Sequence, residues 1–308
     1  MRVAVTGGAG FIGSHVVDQM IGAGHETIVV DARAPHRADA VWREIDIRDG
    51  AGLVRATRGC DAILHLAGVS NVNEAREQPV HTFDVNVNGT ALVCDAARRN
   101  GVARTVLAST VWVYAASNGQ DPVDEDSPMA LQGSGHVYTA SKMASELVLT
   151  SHHELYGLEY TILRYGIPFG PRMREELVIP RFVQRAFDGR PLTIHGDGQQ
   201  FRNYVYVEDI AAAHVLALGA AGANQVFNLE GPQPVSVVEM AEVIRDLVDR
   251  TLAIEFAPAR PGDYAGRFVS GDKAAKVLGW RPTTSFVAGM RRYLEWRDAE
   301  TTDRAREA

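Results

Sequence analysis

A tyrosine and a lysine stand four residues apart, at Tyr138 and Lys142, where a segment with helical hydrophobic spacing begins. On a helix this spacing places both side chains on one face. A phenol has an ordinary pKa of about 10, so it accepts a proton near neutral pH only where a nearby cation favours the phenolate. The pair therefore indicates a proton-transferring tyrosine assisted by a lysine, although a surface helix is the alternative that the spacing alone leaves open.

A glycine-rich turn follows the first predicted strand. Gly8, Gly10 and Gly13 have the G-x-G-x-x-G spacing, and Gly7 adds a second register. Such glycines permit a tight turn, let backbone N–H groups approach a pyrophosphate and let the next helix pack closely. The N-terminus of that helix adds positive potential for phosphates. The turn predicts a dinucleotide site, and a tight strand-to-helix connection without a ligand is the alternative.

An acidic residue, Asp31, ends the second predicted strand, 31 − 13 = 18 positions after Gly13. A carboxylate at this place accepts hydrogen bonds from the adenosine ribose hydroxyls and repels a ribose 2′-phosphate. It favours NAD over NADP. Arg33 could serve a 2′-phosphate, but a solvated loop cation is the simpler interpretation while Asp31 stands before it.

The elements that must position these residues follow from the hydrophobic pattern. The first half alternates short β-branched runs with longer amphipathic stretches, which is typical of βαβ units and a parallel sheet. The predicted strands cover residues 2–5, 26–30, 62–64, 105–108 and 159–163. The predicted helices cover residues 12–21, 80–99, 138–156, 236–250 and 284–298.

The alternation of strand and helix patterns ends after Arg164, because four prolines and a glycine-rich turn interrupt it. We therefore predict an α/β protein with a Rossmann-type doubly wound parallel sheet and a smaller mixed C-terminal substrate-binding domain. The NAD-binding domain is expected over residues 1–170, rejoined by part of 204–232. The substrate-binding domain is expected over residues 171–308.

The bulk composition is that of a globular protein, with 46% hydrophobic and 22% charged residues among 308. The 31 basic and 38 acidic residues give a formal charge of −7, and no run of Lys and Arg forms a stripe that could follow a nucleic acid. We expect no nucleic-acid partner.

The two cysteines, Cys60 and Cys94, cannot build a disulfide framework or a zinc site, which favours a reducing, cytoplasmic setting. The apolar residues at the N-terminus run directly into glycines, so no signal peptide is expected. The most membrane-like stretch, residues 210–223, contains His214 and is shorter than the roughly 20 apolar residues of a membrane span. We expect a buried helix there.

The fourth predicted strand, residues 105–108, is followed by two hydroxyl residues, Ser109 and Thr110. A hydroxyl at the carboxyl end of a strand in a doubly wound sheet lies where substrate meets cofactor. With these residues the chain resembles the extended short-chain dehydrogenase/reductases, the family of nucleotide-sugar epimerases and dehydratases, over nearly its whole length. The matching segments are the glycine turn, residues 46–47, 65–68, 86–90 and 109–110, Tyr138 with Lys142, and residues 163–165 and 170–172.

The resemblance implies roles for individual residues. The implied catalytic residues are Thr110, Tyr138 and Lys142. The implied contacts with NAD are Gly7, Gly10, Phe11, Ile12, Gly13, Asp31, Ala32, Asp46, Ile47, Leu66, Ala67, Asn86, Tyr138, Lys142 and Tyr165. The implied contacts with a nucleotide-diphosphate sugar, linked to UDP or dTDP, are Thr110, Arg172, Val178, Arg202 and Arg260. Arginine suits a diphosphate because its planar fork binds phosphate oxygens in pairs.

Two departures from the family pattern stand close to these residues. The family often has an aromatic residue and an asparagine where this chain has Gly166 and Ile167, which puts the usual contact of that asparagine with the substrate phosphate in doubt. Gly68 replaces a commoner alanine. Neither change removes a proton-transfer group.

The reaction follows from two side chains that cannot transfer protons. Dehydratases of the resembling family carry acids directly after the strand-end threonine, where this chain has Val111 and Trp112. We therefore expect a metal-free, NAD-dependent 4-epimerisation of a nucleotide-linked hexose or hexuronic acid through a transient 4-keto sugar. A keto-sugar reductase is the main alternative, and an inactive NAD-binding regulatory protein is disfavoured because all three catalytic residues are present.

The sugar and the assembly are open at this point. Arg172 or Arg185 could face a carboxylate on carbon 5, but an ordinary phosphate or surface contact is the simpler interpretation of each. In relatives of the resembling family, the helices corresponding to residues 80–99 and 138–156 form a two-fold four-helix contact. We expect a homodimer.

Overall fold

The chain forms two compact units in the computed structural model, which describes residues 1–114, 122–129, 135–259 and 266–307, with side chains as far as Thr301. The first unit comprises Met1–Tyr165, Ile210–Leu229 and Val269–Arg281. The second unit comprises Gly166–Asp209, Glu230–Phe268 and Pro282–Ala308. Among the residues so described, no helix is long and apolar enough to cross a membrane.

The strands and helices are numbered in chain order. The strands are β1 (Arg2–Thr6), β2 (Glu26–Asp31), β3 (Val41–Glu44), β4 (Ala62–His65), β5 (Arg104–Thr110), β6 (Glu159–Tyr165), β7 (Ile167–Phe169), β8 (Leu192–His195), β9 (Phe201–Tyr206), β10 (Gln225–Leu229), β11 (Pro234–Ser236) and β12 (Ile254–Ala257). The helices are α1 (Phe11–Gly22), α2 (Gly50–Ala56), α3 (Val72–Glu77), α4 (Pro79–Phe83), α5 (Gly89–Asn100), α6 (Val137–Tyr156), α7 (Val178–Phe187), α8 (Val207–Ala217), α9 (Val237–Val248) and α10 (Phe286–Glu307).

The first unit contains a seven-stranded sheet in the order β10-β6-β5-β4-β1-β2-β3. Every pair in it is parallel. Its central strands are buried on both faces, and all seven residues of β5 are buried, including the polar residues Arg104, Ser109 and Thr110. The sheet and its flanking helices confirm the predicted fold class.

Two strands of this sheet lie outside the predicted set. Residues 41–44 form β3, a largely exposed edge strand whose polar side chains give no apolar alternation. Residues 225–229 form β10, which pairs with β6 from the far half of the chain.

Helices α5 and α6 pack beside the part of the sheet that carries the predicted catalytic residues. The segment predicted as one helix over residues 80–99 is instead α4, a π-helical turn at Asp84–Asn88 and then α5. A π-helical turn widens the helix by one residue, and here it buries Asn86. Helix α6 is followed by its C-cap, Gly157, which has the left-handed φ of 72° that glycine adopts without strain.

The second unit has a three-stranded mixed sheet in the order β11-β9-β7 and a parallel pair, β12 with β8. Its core includes four aromatic side chains whose ring centroids lie 5.0 to 6.0 Å from one another in contacting pairs. They are Phe169, Tyr204, Tyr206 and Phe286.

Candidate active site

The predicted cofactor and catalytic residues of the first unit meet at one edge of the sheet. Asp31, Thr110 and Tyr165 end β2, β5 and β6, and the glycine turn follows β1. Because all of these strands are parallel, their carboxyl ends lie at the same edge, where ligands of doubly wound sheets bind. Thr110 and Tyr165 are direct partners in the register of β5 and β6.

The glycine turn is so close to its surroundings that side chains would not fit. Gly7 has a φ of 72°, and a Cβ added to it would lie 2.5 Å from the backbone nitrogen of Ala67. A Cβ on Gly13 would lie 2.0 Å from the Gly7 carbonyl oxygen. These positions accept only glycine, so the turn keeps its backbone bare beside the start of α1.

Helix α1 begins directly after this turn with Gly10 as its N-cap, which has no side chain to bind the first backbone N–H groups. Those N–H groups and the positive end of the helix suit a pyrophosphate. The residues present therefore fit NAD, with Gly10, Phe11 and Ile12 as the expected phosphate contacts.

Asp31 is held in a fixed position by backbone groups. Its two carboxylate oxygens accept hydrogen bonds from Ala9 N and Arg33 N, each at 3.0 Å. The Arg33 side chain is 74% exposed, and its Nε lies 4.0 Å from the carboxylate. The acid is thus tied to the glycine turn, while the arginine is the solvated loop cation that the sequence favours.

The first testable prediction concerns cofactor choice. Asp31→Ala should reduce the preference for NAD over NADP by about tenfold or more, because the carboxylate that repels a 2′-phosphate is gone. Titration calorimetry of both cofactors with both proteins measures this ratio. Asp61→Ala, at another surface acid of the same unit, is the matched control. Equal binding of NAD and NADP by the unmodified protein would contradict the assignment.

Asp46 and Ile47, which are predicted to contact NAD, follow β3. The Asp46 carboxylate accepts two hydrogen bonds from the Arg48 guanidinium, at 2.6 and 2.9 Å, and these bonds hold the pKa of Asp46 at about 2. Ile47 is 6% exposed and packs where Gly89 leaves room for it. Arg48 thus holds the Asp46 carboxylate, and packing against Gly89 holds Ile47, in the segment predicted to contact NAD.

The loop after β4 carries Leu66, Ala67 and Gly68 and is braced by Asn86. The Asn86 side chain accepts a hydrogen bond from Val69 N at 2.7 Å and donates to Val69 O and to a serine hydroxyl on α6. A Cβ on Gly68 would lie 2.9 Å from Asn86 Oδ1, which explains the glycine found in place of alanine. The amide of Asn86 is thus occupied in positioning the loop.

His65 is a buried core residue, as the sequence favours. Its Nδ1 lies 2.7 Å from Thr6 Oγ1 and its Nε2 lies 3.0 Å from Thr90 Oγ1. Because the Thr90 hydroxyl donates to Asn86 O, Nε2 is the nitrogen that carries the proton. Burial lowers the pKa of His65 to about 3, so the ring is uncharged.

Lys142 lies 7% exposed beneath the edge of the sheet. Its ammonium donates to the Ala108 carbonyl of β5 at 3.0 Å. Burial lowers the pKa of Lys142 to about 8, and the negative charge of Glu146 opposes that change. The lysine is thus fixed against the strand that carries Thr110, one helical turn from Tyr138.

Thr110 has its hydroxyl oriented by the turn that follows it. The backbone N–H of Trp112 donates to Thr110 Oγ1 at 3.2 Å. Since the oxygen accepts this bond, the hydroxyl proton is available for a second oxygen. This is the geometry expected of a group that donates to a sugar oxygen.

Tyr165 makes a buried hydrogen bond that the sequence did not predict. Its hydroxyl lies 2.8 Å from His214 Nε2, while His214 Nδ1 lies 3.0 Å from Ile210 O. The carbonyl requires a proton on Nδ1, so Nε2 accepts from the tyrosine. Burial raises the pKa of Tyr165 well above its usual value, and the charge of a Tyr138 phenolate raises it further. Tyr165 therefore stays neutral beside Tyr138.

A buried ion pair ties the catalytic strands to α6. Arg164 donates to Glu146 Oε1 at 3.0 Å and to Oε2 at 2.6 Å, and their side chains are 5% and 4% exposed. Ser109 also donates to Glu146, and Arg164 donates to the Tyr114 hydroxyl. Each of the two charged residues is adjacent to, or one helical turn from, a predicted catalytic or cofactor residue.

Three of the predicted substrate contacts, Arg172, Val178 and Arg202, belong to the second unit. Arg172 follows β7 with a φ of 66°, which is strained for a residue with a Cβ. Val178 is the first residue of α7 and is 41% exposed, and Arg202 lies on β9. Arg260 lies outside the described residues.

Arg185, the other arginine considered for a carboxylate, is used within the second unit. Its guanidinium donates to Pro191 O at 2.7 Å and to Thr193 Oγ1 at 3.2 Å. It thus joins α7 to the start of β8.

The unusual Gly166 has a structural counterpart in Glu230. A Cβ on Gly166 would lie 2.8 Å from Glu230 Oε2, so the carboxyl group fills the space of a side chain at position 166. Glu230 is 6% exposed, and neither its Oε2 nor Asn203 Oδ1 has a hydrogen-bond donor among the described residues. A buried carboxyl oxygen without a donor favours the protonated, uncharged form of the group.

The second prediction concerns pH. Burial raises the pKa of Glu230 from 4.5 to about 8, against the opposing hydrogen bonds of Asn203 and the Gly231 backbone. Its stabilising contribution is complete below the unfolded value of 4.5 and is lost as the pH rises toward about 8. The free energy of unfolding should therefore fall over this window in the unmodified protein and fall less in Glu230→Gln. Urea unfolding across the window, with exposed Glu255→Gln as control, measures it; parallel curves for all three proteins would contradict it.

Comparison with known proteins identifies the family to which this chain belongs. Residues 3–229 match the model of the NAD dependent epimerase/dehydratase family. The chain belongs to that family. Its cofactor is NAD, in agreement with the prediction, and the extended short-chain dehydrogenase/reductase resemblance is confirmed.

Individual relatives match nearly the whole chain. A UDP-glucuronate 4-epimerase of Thermodesulfobacterium geofontis is 30% identical over 95% of this chain and 94% of its own length. The crystal structure of UDP-glucose 4-epimerase from Thermotoga maritima with UDP-glucose has a TM-score of 0.89 at 29% identity and covers 98% and 100% of the two chains. The Thermus thermophilus UDP-glucose 4-epimerase complex with NAD has a TM-score of 0.84 at 32% identity and covers 96% and 98%. These similarities indicate an enzyme of nucleotide-sugar chemistry.

Proposed function

We propose that this member of the family catalyses the reversible 4-epimerisation of a UDP- or dTDP-linked hexose or hexuronic acid through a transient 4-keto sugar. The observation that carries the proposal is the arrangement at the end of β5. Thr110, Tyr138 and Lys142 are present there, while Val111 and Trp112 follow the threonine and cannot transfer a proton. Oxidation and reduction at carbon 4 need no further acid or base.

The three residues divide the proton chemistry among them. Thr110 donates a hydrogen bond from its hydroxyl to oxygen 4 of the sugar and orients that oxygen. Tyr138 removes the proton of that hydroxyl as the ketone forms and returns it as the ketone is reduced. Lys142, held by Ala108, places a positive charge on the same face of α6 and favours the phenolate of Tyr138. NAD, when bound, supplies the acceptor and donor of hydride at carbon 4.

Epimerisation also requires that the ketone present its other face. The proposal assigns the diphosphate to Arg172, Arg202 and Arg260, so that the sugar turns while the nucleotide stays bound. A keto-sugar reductase would use the same catalytic residues but would exchange its cofactor at every turnover.

The decisive experiment follows sugar configuration by magnetic resonance. Purified protein with its retained NAD should bring UDP-glucose and UDP-galactose, or the corresponding uronic acid or dTDP forms, to one common mixture from either side. No net NADH should appear. A product lighter by one water would overturn the proposal, and stoichiometric consumption of NADH would identify a reductase.

We also propose a homodimer formed through α4, α5 and α6. Exposed apolar side chains lie on α4 and α6: Val80, Leu147 and Leu155 are 83%, 56% and 71% exposed. Burying them against a second copy follows the hydrophobic effect. Light scattering should give twice the chain mass, and Leu147→Glu should halve it. A monomer mass at all concentrations would exclude this interface.

The expected setting is the cytoplasm. Cys60 and Cys94 are both free and buried, which suits a reducing compartment.

A further inference from the structure

Two aromatic side chains stand beside the proposed proton-transfer groups. The rings of Trp112 and His136 stack with centroids 4.8 Å apart and planes inclined by 38°. The Trp112 backbone holds Thr110 Oγ1, and the ring of His136 lies 6.5 Å from the ring of Tyr138. Trp112 thus contacts one proposed reacting group through its backbone, and its ring stacks on that of His136, which lies near the other.

Local structure fixes both rings. Trp112 lies in the 3₁₀ turn Val111–Tyr114 that ends β5. His136 precedes α6 in an extended conformation, and its Nδ1 lies 2.9 Å from Thr139 Oγ1. Both side chains are half-buried. Burial lowers the pKa of His136 below its usual value, so the imidazole is uncharged near neutral pH. Together the rings form a neutral aromatic wall.

The chemistry of a pyranose decides what this wall meets. A sugar held through oxygen 4 between Thr110 and Tyr138 brings the substituents of carbons 3 and 5 close to that oxygen. Carbon 3 carries a hydroxyl in hexoses and hexuronic acids alike, so the variable group is the one on carbon 5. An aromatic face accepts C–H groups, whereas an ionised carboxylate placed against it loses hydration without gaining a cation.

We propose that Trp112 and His136 are specificity-determining residues that select a sugar with an uncharged carbon 5 substituent, such as hydroxymethyl or methyl, and reject hexuronic acids. The inference rests on the proposed function and decides between the two sugar classes that it leaves open. Trp112 then selects the sugar, in addition to occupying a position where dehydratases of the family carry an acid.

The test compares neutral and acidic sugars on the same nucleotide. UDP-galactose and UDP-galacturonic acid, and the dTDP-linked pair, are assayed for kcat/KM and for binding by calorimetry to the NAD-loaded protein. The unmodified protein should prefer the neutral sugar by at least about tenfold in both measurements. Trp112→Ser and His136→Asn should each lower this ratio severalfold, and the double variant should lower it further. Trp296→Ser, which removes an indole from α10 of the second unit, should leave the ratio unchanged.

The outcomes separate the inference from the function on which it rests. The specificity assignment is overturned if the unmodified protein uses the uronic acid as well as or better than the neutral sugar. It is also overturned if neither substitution changes the ratio of neutral to acidic sugar. In both cases the proposed epimerisation stands. Absence of epimerisation with all four sugars counts against the proposed function, and the calorimetric ratios still decide which sugar class the wall accepts.

Discussion

Tyr138→Phe should lower kcat by about 10²- to 10⁴-fold while NAD and the nucleotide sugar still bind. Removal of the hydroxyl leaves the ring in place at the start of α6 but takes away the only group assigned to move the proton of oxygen 4. A residue that acts in the transition state lowers kcat, whereas a uniform binding contact would mainly raise KM. Initial rates and cofactor calorimetry on the same preparation measure both effects.

The same helix offers the matched control. Tyr156 lies at the other end of α6 and is 57% exposed, so Tyr156→Phe makes the identical chemical change away from the sheet edge. Its rate should equal that of the unmodified protein. Near-normal turnover by Tyr138→Phe would refute the mechanism. Tyr138 and Lys142 would then be ordinary residues of a helix surface without a part in catalysis.

Arg164→Met should cost about 3 to 5 kcal/mol of unfolding free energy, because it leaves the Glu146 carboxylate buried without its partner. The pair is 5% and 4% exposed, so water cannot replace the lost guanidinium. Equilibrium urea unfolding, followed by circular dichroism, measures the change. The double variant Glu146→Leu with Arg164→Met should lose much less than the sum of the single changes, because no charge is then left unpaired.

An exposed ion pair provides the comparison for this prediction. Arg99 Nε lies 2.7 Å from Asp95 on α5, with the arginine 59% exposed. Arg99→Met should cost no more than about 1 kcal/mol, since solvent screens such a pair. Similar losses for Arg164→Met and Arg99→Met would mean that the buried pair does not stabilise the catalytic strands.

Local patterns were sufficient to predict the fold and the positions of the cofactor-binding elements. The apolar run before the glycine turn predicts β1, and the turn itself fixes where α1 begins. Asp31 falls at the end of β2 as its spacing predicts, and Tyr138 and Lys142 share α6. These features depend on residues close together in the chain, which hydrophobic period and turn chemistry report directly.

Hydrophobic period and turn chemistry do not predict contacts between segments that are distant in the chain. Tyr165 and His214 are 49 positions apart, and nothing in either segment predicts their hydrogen bond. Gly166 departs from the family pattern because the carboxyl group of Glu230 occupies the space that a side chain at position 166 would need. The sequence near Gly166 does not indicate this contact. One signal was available: Arg164 is a charge inside an apolar strand, and a charge is almost never fully buried unless it is paired. The hydrophobic period does not show which residue pairs with Arg164. The tertiary fold identifies Glu146 as that residue.

The order of synthesis sets a condition on how the sheet is completed. Strand β6 has β5 on one side and β10 on the other. Residues 166–224 are translated between these two strands, and 209 − 166 + 1 = 44 of them, residues 166–209, belong to the second unit. While that segment emerges from the ribosome, the outer edge of β6 offers unpaired backbone groups next to the newly formed catalytic edge. The nascent protein is therefore most prone to misassociation after its NAD turn has folded and before Gln225–Leu229 has arrived to close the sheet.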